Sequence, residues 1–326
     1  MEPIELRPLS LGELLDRTFR IYRSHFFLFV GIMAMPAALL LPINVFTLSR
    51  QNAQLNPAMA ASTPTPIFPA LSVIVGAIIG GIIGLAIFGA LYAIAVAAAS
   101  TAVSEVYLGR TATIRGAFGR IRGRFWRLIG VVTNVFLRII GLILLPLVVI
   151  GGGFAWIGYA VGGGTSSPAF VLIAFGGLFL AFLAAIVLYV FVALRYAVSV
   201  PVVMLEDLGV LATIRRSVFL TSGRRGHIFL VLLVAGIIAS VGVYVFQMPF
   251  TIAMMVTAMR GHPSQLLAFA TAAAGAVGSA VTGPISMIAI VLLYYDSRVR
   301  KEAFDLQFMM SSLDADAPAT GTVSPA

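Results

Sequence analysis

Only one charged side chain stands well inside a long apolar run: Arg138, with Asn134 four residues earlier on the same helical face. A guanidinium surrounded by lipid is costly to keep, so it has a purpose. Two purposes stand open. Arg138 reaches a bundle interior and binds a phosphate or carboxylate, or it makes a structural contact to helix carbonyls. The apolar runs hold no Asp or Glu, so no buried carboxylate is there to pair with it. Arg195, near the end of another run, can extend to the headgroups. Arg20, Arg23, Arg122, Arg124, Arg224 and Arg225 lie just outside apolar runs. With Arg138, Asn134 and Arg195 they form the candidate contacts to lipid or another anion.

The rest of the catalytic repertoire is thin. His25, His227 and His262 are scattered and no two have metal-ligand spacing, so neither a metal nor another cofactor is expected. With no cysteine, thiolate ligands, thiol nucleophiles and disulfides are all absent. No histidine has an acid and a serine at a spacing that suggests a triad. The glycine-rich stretches lie inside apolar runs and lack the Lys-Ser/Thr of a phosphate loop. Proton-coupled transport usually draws on intramembrane acids, which are missing. The residues therefore predict no enzyme.

Sixty per cent of the 326 residues are hydrophobic and 10% are charged. A soluble domain usually carries about a quarter charged residues, so lipid must be the main solvent. The apolar runs are continuous and of spanning length, which predicts helices and not a barrel of short alternating strands. Six spans are expected near 26–48, 69–100, 128–150, 168–200, 228–250 and 267–295. Glu2, Glu5, Glu13 and Asp16 precede the first, which reads as a retained span and not a cleaved signal.

Connections alternate in character. Segments 49–67, 151–167 and 251–266 are nearly uncharged, with Arg50 and Arg260 their only basic residues. Segments 1–25, 101–127, 201–227 and 296–326 hold the other arginines and the lysine of the connections, and every acid. The positive-inside rule puts both termini and the two long basic loops in the cytoplasm. The net charge of +9 is thus a topology signal, and no nucleic-acid partner is expected. Single cysteines at Ser62, Ser166 and Pro263 should then react with an impermeant reagent outside cells, and one at Ser217 should not.

Leu108-Gly109 and Ala112-Thr113-Ile114-Arg115 repeat as Leu208-Gly209 and Ala212-Thr213-Ile214-Arg215. Gly123-Arg124 falls on Gly223-Arg224. Phe19, Arg23, Phe26 and Gly31 fall more loosely on Phe118, Arg122, Phe125 and Gly130. The fold class is therefore an all-α membrane protein of six transmembrane helices. It is built as three repeats, about 10–100, 108–200 and 208–300, each an amphipathic interfacial helix plus a helical hairpin. Together they make one membrane domain over 1–311, with 312–326 a disordered cytoplasmic tail.

In the first unit Ser10 and Glu13 have capping-box spacing, and Leu11, Leu15, Phe19, Tyr22 and Phe26 form an apolar stripe. In the second the stripe is Ile114, Phe118, Ile121 and Phe125. Helices of this kind rest among headgroups with their arginines toward anionic lipid. The second span of each unit is over-long and must tilt, break or continue into the cytoplasm. Candidate break points are Gly80-Gly81, Gly176-Gly177 and Gly283-Pro284, with Pro42, Pro146 and Pro249 near the outer ends of the first spans. Gly76, Gly80 and Gly84, likewise Ala274, Gly278 and Thr282, and likewise Gly275, Ser279 and Gly283, have the spacing that lets helices pack closely.

Three stretches carry a resemblance. They are Arg7-Pro8-Leu9-Ser10-Leu11-Gly12-Glu13 with Phe19-Arg20-Ile21-Tyr22-Arg23, Arg195-Tyr196 through Pro201 and Glu206, and Tyr294-Tyr295-Asp296 with Arg298 to Glu302. The chain resembles bacterial membrane proteins related to the membrane domain attached to some glycerophosphoryl diester phosphodiesterases. The resemblance implies a location, the bacterial cytoplasmic membrane, and an architecture. In that family the phosphodiesterase is a separate soluble domain, so its activity is not expected here. The expected function is a non-catalytic membrane domain that binds lipid or anchors a partner at the cytoplasmic face. The other reading is a small transporter or flippase-like protein for an anionic or lipidic substrate. Expected partners are anionic headgroups, with a protein partner or a second copy of the chain also open.

Overall fold

The computed structural model describes residues 9–54, 71–107, 110–162, 167–260 and 264–302. Arg7, Leu108-Gly109, His262, the reporters at Ser62, Ser166 and Pro263, and the 312–326 tail lie outside them. The described residues are helical apart from short turns. Helix α1 (Leu11–Ser24) leads into α2 (Phe26–Gln54). Then come α3 (Leu71–Tyr107) and α4 (Ile114–Pro146), a single π turn (Leu147–Gly151) and α5 (Gly152–Gly162). Helix α6 (Pro168–Tyr196), the short α7 (Ser199–Leu205), α8 (Val210–Thr221), α9 (Arg225–Met259) and α10 (Gln265–Glu302) complete the order. Six segments are long and apolar enough to cross a membrane: Phe26–Ser49, Ile79–Val106, Ile114–Gly162, Pro168–Leu205, Arg225–Met259 and Gln265–Glu302. Their lipid-compatible side chains leave the backbone to bond within each helix, the condition for crossing hydrocarbon.

The first helix starts as its sequence predicts. The Glu13 N–H donates to Ser10 Oγ at 3.3 Å while Glu13 Oε2 accepts from the Ser10 N–H at 2.8 Å. Its packed face is displaced from the predicted stripe. Leu14, Thr18 and Ile21 are buried, whereas Phe19 and Phe26 stay exposed. The apolar periodicity is real, but tertiary packing against α10 selects the strip beside it.

The second unit departs from expectation. Its basic segment and its span form one continuous helix, α4, with no break at Gly123. At the matching Gly223 the chain turns with φ 81°, a left-handed conformation that favours glycine, and this separates α8 from α9. The segment 151–167, expected as an outer loop, is helix through Gly162. Pro146 ends α4, and the π turn carries the chain into α5. A Cβ at Gly177 would meet the Phe154 ring, and one at Gly158 would meet the backbone of Phe170. The segment from Arg138 to Gly162 therefore pairs antiparallel with α6. The over-long helices α3 and α10 run unbroken past Gly80-Gly81 and Gly283-Pro284, and α6 runs unbroken past Gly176-Gly177.

The buried core lies toward the charged end. Ala95 to Ala99, Ala102 and Val103 of α3 pack there with Val198 to Met204, Ile285 to Tyr294, and Leu128 and Val131 of α4. The alanine run has no bulk, so α2, α4, α7 and α10 can all approach α3. Helix α10 is the centre: 56% of its most apolar window is buried, against 11% for the α4–α5 span. Farther out, the helices separate into the α5–α6 and α9–α10 pairs, with α2 against α10.

Small residues close the α9–α10 pair. A Cβ at Gly278 would lie 2.9 Å from Val243 Cα, and Thr282 Oγ1 donates to the Ala239 carbonyl at 2.8 Å. Gly76, Gly80 and Gly84 share the spacing but meet no described neighbour, so their expected packing is not found. Gly278→Val is therefore expected to cost about 1–3 kcal/mol through overpacking. Gly80→Val should change stability by about 0.5 kcal/mol or less. Thermal unfolding of both variants in detergent checks the contrast.

Candidate functional site: the charged end of the bundle

Four elements converge at the charged end, and their acids meet specific donors. Glu206, where α7 ends, accepts from Tyr294 Oη at 2.9 Å and from Arg216 Nε at 2.9 Å. Arg298 Nε stands 3.9 Å from the same carboxylate and 3.1 Å from Glu302, one turn on. Arg216 also pairs with Glu302. Burial alone would lower the Arg216 pKa, but its hydrogen bonds to Glu302 and Glu206 outweigh that and raise it. Tyr294 is fully buried, so its hydroxyl needs a partner and Glu206 supplies it.

A second knot ties the start of the chain to its last described helix. Asp296 is 4% exposed and accepts from the Leu9 N–H at 2.8 Å and from Arg300 Nε at 2.9 Å. Arg300 returns a bond to the Leu9 carbonyl, and Arg224 Nη1 lies 3.8 Å from Asp296. Lys301 completes the seam by donating to the Phe219 carbonyl and to Ser222 Oγ at the end of α8. A lysine at a helix C-terminus meets orphan carbonyls there. Arg124 donates to the Met204 carbonyl at 2.8 Å. Arg127 pairs with exposed Asp207, and its hydrogen bond holds that carboxyl below the usual range.

The predicted residues fare differently. Arg138 faces outward and donates to Tyr196 Oη at 2.7 Å, its guanidinium 5.6 Å from that ring. About 36 Å of helix separates Arg138 from Gly162, more than a hydrocarbon core. Arg138 therefore stands level with the end of α6, where Tyr196 closes that helix. Asn134 does not join it, and its Oδ1 is buried without a hydrogen bond among the described residues. Arg20, Arg23 and Arg122 are exposed and unpaired among the described residues. Arg195 and Arg225 are half-buried, each with its guanidinium near the Phe191 ring. Arg224 approaches Asp296 and Arg124 is taken up by a carbonyl, so both serve the fold.

The sequence marks Glu206 and Asp296 only as members of the resembling stretches and does not show them as hubs. The i,i+4 spacings of Asp296 with Arg300 and Arg298 with Glu302 were a visible signal. Among the described residues no group of three His, Asp or Glu side chains could hold a metal ion. Ser24 Oγ lies 2.8 Å from His25 Nδ1, and His227 Nε2 has no partner among the described residues.

The three stretches that carried the resemblance are those that interlock: Leu9, Glu206, and Tyr294 to Glu302. Residues 168–313 match the family model of the membrane domain of glycerophosphoryl diester phosphodiesterase. Together with the six long apolar helices, the match supports a multi-pass membrane protein. The match takes in α6 to α10 and thus both acid hubs, in a little under half of the chain. It is a match to a membrane domain and not to a catalytic one. No curated protein and no solved structure matches the chain.

Proposed function

We propose that this chain is a non-catalytic membrane domain whose charged end faces the cytoplasm and gathers anionic lipid. One observation carries the reading: the acids of that end are largely spent on the fold while arginines remain in surplus. Glu105, Glu206, Asp207, Asp296 and Glu302 are all paired. Arg20, Arg23, Arg115, Arg122 and Arg215 are exposed with no ion pair among the described residues. Each basic residue near an anionic surface contributes about 1 kcal/mol of attraction, so the excess favours such lipids. Helices α1 and α8, each half-buried beside exposed arginines, suit a position among the headgroups.

Two contacts support a repeat. A Cβ at Gly31 would strike Ile114, in the first turn of α4, and one at Gly130 would strike Val210, in the first turn of α8. Gly31 and Gly130 are matched positions, and each meets the first turn of the helix that opens the following segment, though Ile114 and Val210 are not themselves matched residues. Of the three supports for the transporter reading, the repeat, the broken helices and Arg138, the broken helices fall away, since α3, α6 and α10 are unbroken.

Orientation is tested by single cysteines in the naturally cysteine-free chain. Ser217 is fully buried and donates to the Arg195 carbonyl at 3.1 Å, so a cysteine there would escape label on either side. Exposed Gly119 is the better reporter, paired with Leu266 at the other end. Leu266→Cys should react with an impermeant maleimide outside intact cells, and Gly119→Cys only after lysis. The reverse pattern would overturn the orientation. For the function itself, the test is purification in native lipid discs with mass spectrometry of lipids and proteins. Enrichment of anionic lipid over the bulk membrane is expected; discs of bulk composition would contradict it. A stoichiometric protein partner would redirect the reading to anchoring.

A further inference from the structure

Helices α6 and α9 meet at the charged end through Phe191, Arg195 and Arg225. The Arg225 guanidinium lies 4.8 Å from the centroid of the Phe191 ring, and that of Arg195 lies 5.7 Å from it. Two cations thus share one aromatic ring, which helps orient them. The Nε of each is shut from solvent and makes no hydrogen bond. Neither guanidinium has an ion pair among the described residues. The nearby acid hubs are committed elsewhere, Asp296 to Leu9 and Arg300, Glu206 to Tyr294 and Arg216. Half-buried like charges with unfilled donors are unfavourable until an anion joins them.

The setting selects the anion. Arg195 is in the last turn of α6 and Arg225 is the first residue of α9, the level at which a span leaves lipid. Helix α9 starts with no side-chain cap, so its first N–H groups add positive potential. Planar guanidiniums suit phosphate oxygens better than point charges do. On the membrane side of the pair the surface turns apolar. Leu232, Gly236, Ser240 and Tyr244 follow Arg225 along its face of α9 and line an open groove. Val187 and Leu183 continue the Phe191 face of α6 and are exposed.

We propose that one phospholipid docks here, its phosphate between Arg195 and Arg225 and an acyl chain along the α9 groove. The inference rests on the lipid reading above and narrows it to one molecule at one place.

The test uses the full chain in mixed micelles with phosphatidylglycerol, read by native mass spectrometry. Wild type is compared with Arg195→Gln, Arg225→Gln, and Arg122→Gln as an exposed control. One retained lipid per chain is expected, weakened about tenfold by either site variant and unchanged by Arg122→Gln. Equal loss in all three variants would overturn the site while leaving a general preference for anionic lipid intact. No preference for phosphatidylglycerol over phosphatidylcholine in wild type would remove both. Competition separates the sources of phosphate: millimolar inorganic phosphate should not displace the lipid, and displacement would assign the site to a free anion. A photoactivatable phosphatidylglycerol on unmodified protein guards against misfolded variants. Labelling of α6 and α9 peptides is expected, and labelling confined to other helices would refute the site.

Discussion

Asp296→Ala is expected to destabilise the protein by about 3–5 kcal/mol, the cost of breaking a buried ion pair by removing one partner. The carboxylate is 4% exposed, and three groups face it: the Leu9 N–H, Arg300 Nε and Arg224 Nη1. Alanine would leave Arg300 without its acid and the Leu9 N–H without an acceptor, so the segment before α1 would keep the Arg300 bond to the Leu9 carbonyl but lose its bond to Asp296. Asp296→Asn retains an oxygen for Leu9 and removes only the charge, and should cost less. Thermal unfolding in detergent gives the ranking. Limited proteolysis gives the mechanism, because cleavage near Leu9 should appear in the alanine variant under conditions where wild type is intact. An alanine variant as stable and protease-resistant as wild type would show that the knot is incidental.

Glu206→Ala should have a comparable effect at the other hub, again about 3–5 kcal/mol. Its carboxylate receives the hydroxyl of Tyr294, a side chain with no exposed surface, and the Arg216 guanidinium. Removing it leaves the buried Tyr294 hydroxyl without its acceptor and leaves Arg216 and Arg298 to share Glu302. Tyr294→Phe removes the hydroxyl's bond to Glu206 and the one it accepts from Arg298, but leaves Glu206 paired with Arg216, and should cost less, about 1–2 kcal/mol. The double variant should cost less than the two single changes added, since the hydroxyl and carboxylate satisfy each other. Strict additivity in unfolding measurements would mean that the bond between them contributes nothing.

Much of this architecture is legible in the sequence because lipid imposes simple rules. Six spans follow from long apolar runs, and the capping box at Ser10 follows from its spacing. The helix that continues past the third predicted span is not legible because residues 151–162 are rich in Gly and Ala and carry no charge, a composition shared by loops and tightly packed helices. Small-residue spacing was right at Gly278 and not at Gly80. The spacing permits close approach, but a partner must arrive to use it. The Asp296–Arg300 pair could be read from i,i+4 spacing. Its bond to Leu9 joins opposite ends of the described chain and exists only once the fold brings them together.

The same division explains the candidate site. Counting arginines identifies a basic end, but not which of them are free. Arg124 and Arg224 look equivalent to Arg122 and Arg225 along the chain, yet the first pair meets a carbonyl and a carboxylate. What remains for lipid is the residue of that internal pairing.

The most direct test of the central claim is thermal stability of the purified protein in discs of defined composition. Phosphatidylglycerol discs are compared with phosphatidylcholine discs at low and high salt. A higher Tm in phosphatidylglycerol that shrinks toward the phosphatidylcholine value as salt screens the headgroups is the predicted result. Equal Tm in both lipids at low salt would contradict the claim that the surplus arginines of the charged end serve anionic lipid.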